Sequence, residues 1–280
     1  FPAASFWGSR AITGRIAPED PERIVGYGGE TIGQAMRAVG LDPARIAEAR
    51  RRDIQSFIEL HIEQGPILEQ AGLPVGIVTG LPGIRHSVVR VDGRSDHAGA
   101  MPMDLRRDPM AGVAEMISGV IGTARGMGRP AVTTVGRVLV EPNFPAIVPE
   151  RVTFTVDARH PDASTRAALN AAHEATITRV AAERGLQAVW DVSLDMEPCP
   201  SSPALVRALE EAAREQGIPA QAMPSGAVHD TQRMAEIARV AMVFVQSRAG
   251  RSHTPAEYTS PEDAAAGIRV LAAGLRRLAY

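Results

Sequence analysis

At 280 residues the chain is long enough for two domains or one large one. It is 45% hydrophobic and 22% charged with a net charge of −2, which fits a globular protein and leaves no electrostatic footprint for nucleic acid or an anionic membrane. All 30 basic residues are Arg, which we read as compositional bias; the single cysteine, Cys199, excludes an internal disulfide and fits a reducing compartment. No apolar run approaches the roughly 18 residues of a membrane span, and no charged-then-apolar leader opens the chain, so the cytoplasm is the expected location.

The chain opens on Phe1-Pro2-Ala3-Ala4 without an initiator Met, and residues 1–16 show no strong helical or strand period. Helical spacing first appears over 31–39, with Ile32, Met36 and Val39 on one face and Gly40 as the stop. Asp42 as N-cap and Pro43 at the first position predict a second helix to about Arg51. Residues 56–62 read as a buried strand, 67–71 as a short helix ended by Gly72, and 75–79 as another apolar strand. Gly80-Leu81-Pro82-Gly83 reads as a linker. Beyond it come a half-exposed strand with Val89 and Val91 on one side, a helix over 108–124, strands near 131–140 and 151–159, a helix over 163–184 and a strand over 187–195. Residues 151–159 alternate, with Val152, Phe154, Val156 and Ala158 on one side. This β-α-β-β-α-β order is the ferredoxin-like arrangement with one open sheet face, and its exposed edge invites pairing with another copy. Helix 203–216, the apolar run Val240–Val245 and a helix over 261–278, capped by Ser260 and Pro261, close the chain. The expected fold class is α/β in two domains: segments 1–80 and 198–280 form one, and 81–197 is an inserted α+β unit.

Several polar groups sit where chemistry is placed in such folds. Phe57-Ile58-Glu59-Leu60-His61-Ile62-Glu63-Gln64-Gly65-Pro66 ends an apolar strand in a polar cluster, and His253 lies soon after the strand 240–245. Each His is either a metal ligand or a hydrogen-bonded structural residue. Glu63 and Glu257 are either part of that site or surface and capping residues. His97, beside small residues and before the helix start at Asp108, is an oxyanion or carboxylate partner, or a loop His. Arg159 ends the alternating strand on its polar side, placed to clamp a carboxylate or to pair with Asp157 or Asp162. His229-Asp230 stands at a turn into a helix, either supporting the site or capping. Cys199 between two prolines is not read as a nucleophile, and no phosphate loop, CxxC pair or HExxH is present.

Five segments taken in order carry a resemblance: His-Ile-Glu-Gln-Gly-Pro at 61–66, His-Ala-Gly with Pro-Met and Arg-Arg-Asp over 97–108, Phe-Thr-Val-Asp-Ala-Arg-His at 154–160, Ser-Gly-Ala-Val-His-Asp at 225–230 and Ser-His-Thr-Pro-Ala-Glu at 252–257. Together they resemble the N-carbamoyl-L-amino acid hydrolases, allantoate amidohydrolases and β-ureidopropionases, zinc-aminoacylase-type metallohydrolases, over essentially the whole chain. The resemblance implies a catalytic domain with two divalent ions (zinc, manganese, cobalt or nickel) and an inserted lid and dimerisation domain. It implies that His61 and His253 each serve one metal, that His97 binds substrate and stabilises the oxyanion, and that Arg159 holds the substrate carboxylate. Glu63, Gln64, His229, Asp230 and Glu257 are expected around the site in supporting roles. The implied reaction is hydrolysis of a non-peptide C–N bond in an N-carbamoyl or ureido acid by a homodimer.

The departures define further expectations. The family's first His ligand, bridging Asp, Glu ligand and general-base Glu have no counterpart in residues 1–54, which contain no His. The expectation is therefore a fragment or truncated product with incomplete metal sites and no activity of its own. Ala146 stands where the family usually has a substrate-contacting Asn, Asn143 is not its equivalent, and Ile84 stands where many members carry Gln. The alternatives are a catalytically dead dimerisation or regulatory subunit, and an aminoacylase or peptidase of the same superfamily. Against the last, peptidase relatives usually carry a carboxylate at the position of His61.

Overall fold

The structure is a computed structural model, and residues 1 and 4–279 are described. In chain order the helices are α1 (Trp7–Ile12), α2 (Asp20–Arg23), α3 (Ile32–Ala38), α4 (Ile67–Ala71), α5 (Pro109–Met127), α6 (Ala163–Glu183), α7 (Pro203–Glu215), α8 (Asp230–Met234) and α9 (Pro261–Ala279). The strands are β1 (Ser56–Ile62), β2 (Val75–Leu81), β3 (Gly83–Asp92), β4 (Asp96–His97), β5 (Val132–Thr134), β6 (Val138–Glu141), β7 (Ile147–Val148), β8 (Arg151–His160), β9 (Gln187–Met196), β10 (Cys199–Pro200), β11 (Ala220–Pro224) and β12 (Arg239–Val245). The chain divides into two compact units, one made of Phe1–Leu81 with Cys199–Tyr280 and the other of Pro82–Pro198.

In the first unit the sheet runs β1-β12-β2-β10, with β11 also paired to β2. β1 lies parallel to β12, and β2 antiparallel to it. The apolar run 239–245 is the central strand, which is why Val240–Val245 are all buried. Its alternate residues feed two cores. Ala241 and Val243 pack with Val75, Ile77, Leu205, Leu209 and Val270 beneath α7 and α9, while Met242 and Phe244 pack with Leu68, Val78 and Met223 on the other face. β1 is half-buried along its whole length, where the sequence suggested full burial, because it forms an edge of the sheet among the described residues. Residues 43–49 form a 3-10 helix instead of the expected α-helix; Asp42 accepts from the Ala44 amide, a tighter turn than an α-helical cap.

The second unit is an antiparallel sheet in the order β5-β8-β3-β9, with β6 beside β5 on the same edge of β8. Val89, Val91, Val152, Phe154 and Val156 pack against Val113, Met116, Val120, Ile177 and Val180 of α5 and α6. The expected single strand near 131–140 is two short strands, β5 and β6, and the expected Gly80–Gly83 linker is almost wholly strand. Leu81 and Cys199 are cross-strand partners, so the chain leaves and re-enters the first unit at one point.

Candidate metal centre

Alternation along β1 turns Ile58 and Leu60 toward the core under α7 and α9 and leaves Glu59 and His61 on the opposite face. There they meet His229, which precedes α8. Glu59, His61 and His229 each offer one ligand atom, and the three atoms lie within 4.8 Å of one another. The rings of His61 and His229 have centroids 4.5 Å apart, and His229 leans on Phe244 of β12 at 5.5 Å.

Hydrogen bonds identify the atoms that face this cluster. His61 Nδ1 lies 2.8 Å from the Ile62 carbonyl. A carbonyl only accepts, so Nδ1 carries the proton and Nε2 keeps its lone pair, the state in which metal-binding imidazoles are held. His229 is 4% exposed, and its Nε2 is buried without a hydrogen-bond partner. Burial, aided by the neighbouring His61, pushes His229 down to about 4, so its imidazole is neutral at neutral pH. Glu59 Oε2 accepts from the Thr231 amide at 2.9 Å and the Thr231 hydroxyl at 2.6 Å. Its Oε1 makes no hydrogen bond among the described residues and lies 3.9 Å from His229 Nδ1. Two imidazoles, one of them carrying the orphaned buried nitrogen, and a carboxylate oxygen form a three-donor set that fits a zinc-like divalent ion.

The other sequence-derived candidates of this unit lie beside the cluster. The Gln64 amide nitrogen Nε2 donates to Ser252 Oγ at 2.9 Å, and Ser252 in turn donates to Glu257 Oε2 at 2.7 Å, as does the His253 backbone N–H at 3.1 Å. The Ser252 hydroxyl and then the His253 amide hold the Glu257 carboxyl below its usual range. The loop bearing His253 is thereby tied to the end of β1, while the His253 side chain is not one of the three clustered donors. Gln64, Ala249 and His253 all have left-handed backbone (φ 60, 52 and 58), a concentration of strain in two adjoining loops. Glu63 is buried and accepts from the Ile67 and Leu68 amides, both at 2.8 Å, so it caps α4. Asp230 is exposed in the first turn of α8.

In the second unit, Arg159 grips Asp157 with two bonds of 2.8 Å, and His86 Nε2 reaches the same carboxylate at 3.0 Å. Burial acts to raise Asp157, and the Arg159 guanidinium outweighs it, leaving the carboxyl below its usual range. The pairing alternative for Arg159 is thus realised. Its cross-strand neighbour is the buried Ile84. His97 is exposed on β4, which pairs with β7. Ala146 meets the residue after His97 through the backbone: the Ala98 N–H donates to the Ala146 carbonyl at 3.0 Å.

Glu59 and Thr231 escaped the sequence reading. The available signal was Glu-x-His within one strand, which period two places on one face; Thr231 joins them only through the fold.

The sequence profile described as Peptidase family M20/M25/M40 matches residues 8–277. The chain is 41% identical over 266 residues to an N-carbamoyl-L-amino acid amidohydrolase of Geobacillus stearothermophilus, covering 94% of this chain and 64% of that protein. It is 36% identical over 275 residues to an allantoate amidohydrolase of Escherichia coli (strain K12), covering 98% and 67%. A crystal structure of an amidase of the hydantoinase/carbamoylase family from Burkholderia multivorans superposes with a TM-score of 0.88 at 34% identity, again over 98% of this chain and 67% of the other. The chain therefore spans about two thirds of the length of the relatives it matches. Motif order, topology and these likenesses agree, and the chain belongs to Peptidase family M20/M25/M40.

Proposed function

We propose that the chain belongs to a metal-dependent hydrolase of non-peptide C–N bonds in N-carbamoyl or ureido acids, with Glu59, His61 and His229 as donors to a divalent ion and His253 as donor to a second. The observation that carries the reading is the His61 tautomer beside the orphaned His229 Nε2. The names of the relatives, N-carbamoyl-L-amino acid and allantoate amidohydrolases, support the substrate class. A bound divalent ion supplies Lewis acidity at the carbonyl oxygen of the bond to be cleaved. The chain's own residues bind and orient. Arg159, released from Asp157, takes the substrate carboxylate, and His97 donates to the oxygen that gains charge. The unit 82–198 serves as lid and dimerisation domain, and its edge strand β9 exposes Val189 and Val192 to pair with a second copy.

Turnover by the 280-residue chain itself is not expected. Glu63 is committed as an acceptor by the amides of α4 and Glu257 by Ser252 and His253, while Glu59 is held at Oε2 by Thr231 and presents Oε1 to the ion. None is poised to take a proton from water. Zinc or cobalt titration followed by calorimetry tests the reading. Uptake is expected in the wild type and lost in His61→Ala and His229→Ala; uptake unaffected by both substitutions refutes the metal assignment. Hydrolysis of N-carbamoyl amino acids with two tightly held ions refutes the expectation of no turnover.

A further inference from the structure

The turn after β4 treats the two nitrogens of His97 differently. The backbone N–H groups of Gly99 and Ala100 both donate to His97 Nδ1, each at 3.0 Å. With two donors aimed at it, Nδ1 is an acceptor, so the proton of the neutral ring sits on Nε2. Nothing among the described residues bonds Nε2. Moving the proton to Nδ1 would oppose three N–H groups and leave two amides without an acceptor.

The turn is itself held. The Met101 N–H donates to the His97 carbonyl at 3.2 Å. The half-buried Arg106 guanidinium closes the loop from inside: Nε donates to the Met101 carbonyl at 2.9 Å, and NH2 donates to the Ala98 carbonyl. One planar fork therefore ties the residues on either side of Gly99 and Ala100, and so aims their amides. A single ammonium cannot reproduce that fork.

We propose that Arg106 is a positioning residue that locks His97 as an Nε2–H donor, so that His97 acts as a fixed hydrogen-bond donor and neither as a base nor as a metal ligand. This rests on the reading above only for what His97 meets, the oxygen gaining charge; the tautomer stands on the geometry alone. A donor whose proton is fixed in advance needs no reorganisation when charge develops.

Nitrogen-15 NMR of the 280-residue chain, labelled at histidine and recorded at about pH 8.5, well above the ordinary imidazole range, tests it. His97→Gln assigns the signals. In the wild type, Nδ1 of His97 is expected in the unprotonated range and Nε2 in the protonated range. Arg106→Met should move both shifts toward a mixture of tautomers, and Arg106→Lys should restore them only in part. Gly99→Pro, which deletes one amide donor without touching Arg106, should move them in the same direction. A protonated Nδ1 in the wild type overturns the proposal, and that measurement needs no variant to fold. A tautomer unchanged in a folded Arg106→Met overturns the role of Arg106. Added zinc should move His61 and His229 and leave His97 in place. Movement of His97 would overturn its assignment as donor only, whereas no movement of His61 would count against the metal reading and leave the tautomer intact.

Discussion

Replacing Glu63 by Gln tests whether this carboxylate is a structural cap. The two oxygens accept from Ile67 and Leu68, both at 2.8 Å, and those amides lie in the first turn of α4, where no helical carbonyl is available. Gln offers one acceptor. Its amide group would face the second N–H, donor against donor, at a residue only 6% exposed. Leaving one buried donor unsatisfied and turning the other bond from charged to neutral costs about 3 kcal/mol. Urea unfolding followed by circular dichroism should show a lower midpoint, by about 1 M at a slope of about 3 kcal/mol/M. Zinc uptake at the cluster of Glu59, His61 and His229 should persist, because Glu63 is not among its donors. A Gln variant within about 0.5 kcal/mol of wild type, below the loss expected for a buried charged hydrogen bond, refutes the capping argument.

The remaining predictions concern pH, the support of Glu59 and a strained loop. Burial holds the fully enclosed His173 at about 4, against 6.5 for a free imidazole, so the unfolded chain takes up the proton first. Stability is therefore full above about pH 6.5 and falls by about 3 kcal/mol as pH drops toward 4; His173→Met should flatten that stretch of the stability profile measured by urea unfolding. Thr231→Val removes the 2.6 Å donor to Glu59 at nearly constant shape, and calorimetry should read zinc affinity weaker by about tenfold or more. Gly250→Ala meets a positive φ of 62° and places Cβ 2.7 Å from the Pro66 nitrogen. The thermal midpoint should fall by the equivalent of about 3 kcal/mol, the sum of left-handed strain and overpacking.

The inserted unit was the most legible part of the chain. The alternation from Val152 to Ala158 and the periodic stripe of Val113 and Met116 each follow from burial on one face. Short elements were harder to see. β11 (Ala220–Pro224) holds small residues and a Pro, and its strand character comes from pairing with β2. The helix expected after Asp42 tightened into a 3-10 turn, which no propensity distinguishes. At the site, His61 and His229 were visible as chemical types, but their meeting was not. His229 reaches His61 because α8 packs on β1 and β12, and the chain gives no local sign of that contact. Likewise Arg159 was visible as a charge at a strand end, and only the pleat of β8 shows that Asp157 already holds it.

The pairing of Leu81 with Cys199 has a consequence for how the chain folds. β1 must find β12 across the whole intervening chain, from Ser56 opposite Arg239 to Ile62 opposite Val245. If residues 82–198 collapse first, their ends come together at one cross-strand pair, about 5 Å apart. The loop that β1 and β12 must close then shrinks to about a third, which lowers the closure cost by about 1 kcal/mol. The insert would act as a clasp, gathering the chain ends that build the first sheet. Replacing 82–198 by an Asn-Gly turn should accordingly leave that sheet able to form, because a tight hairpin joins the same two residues.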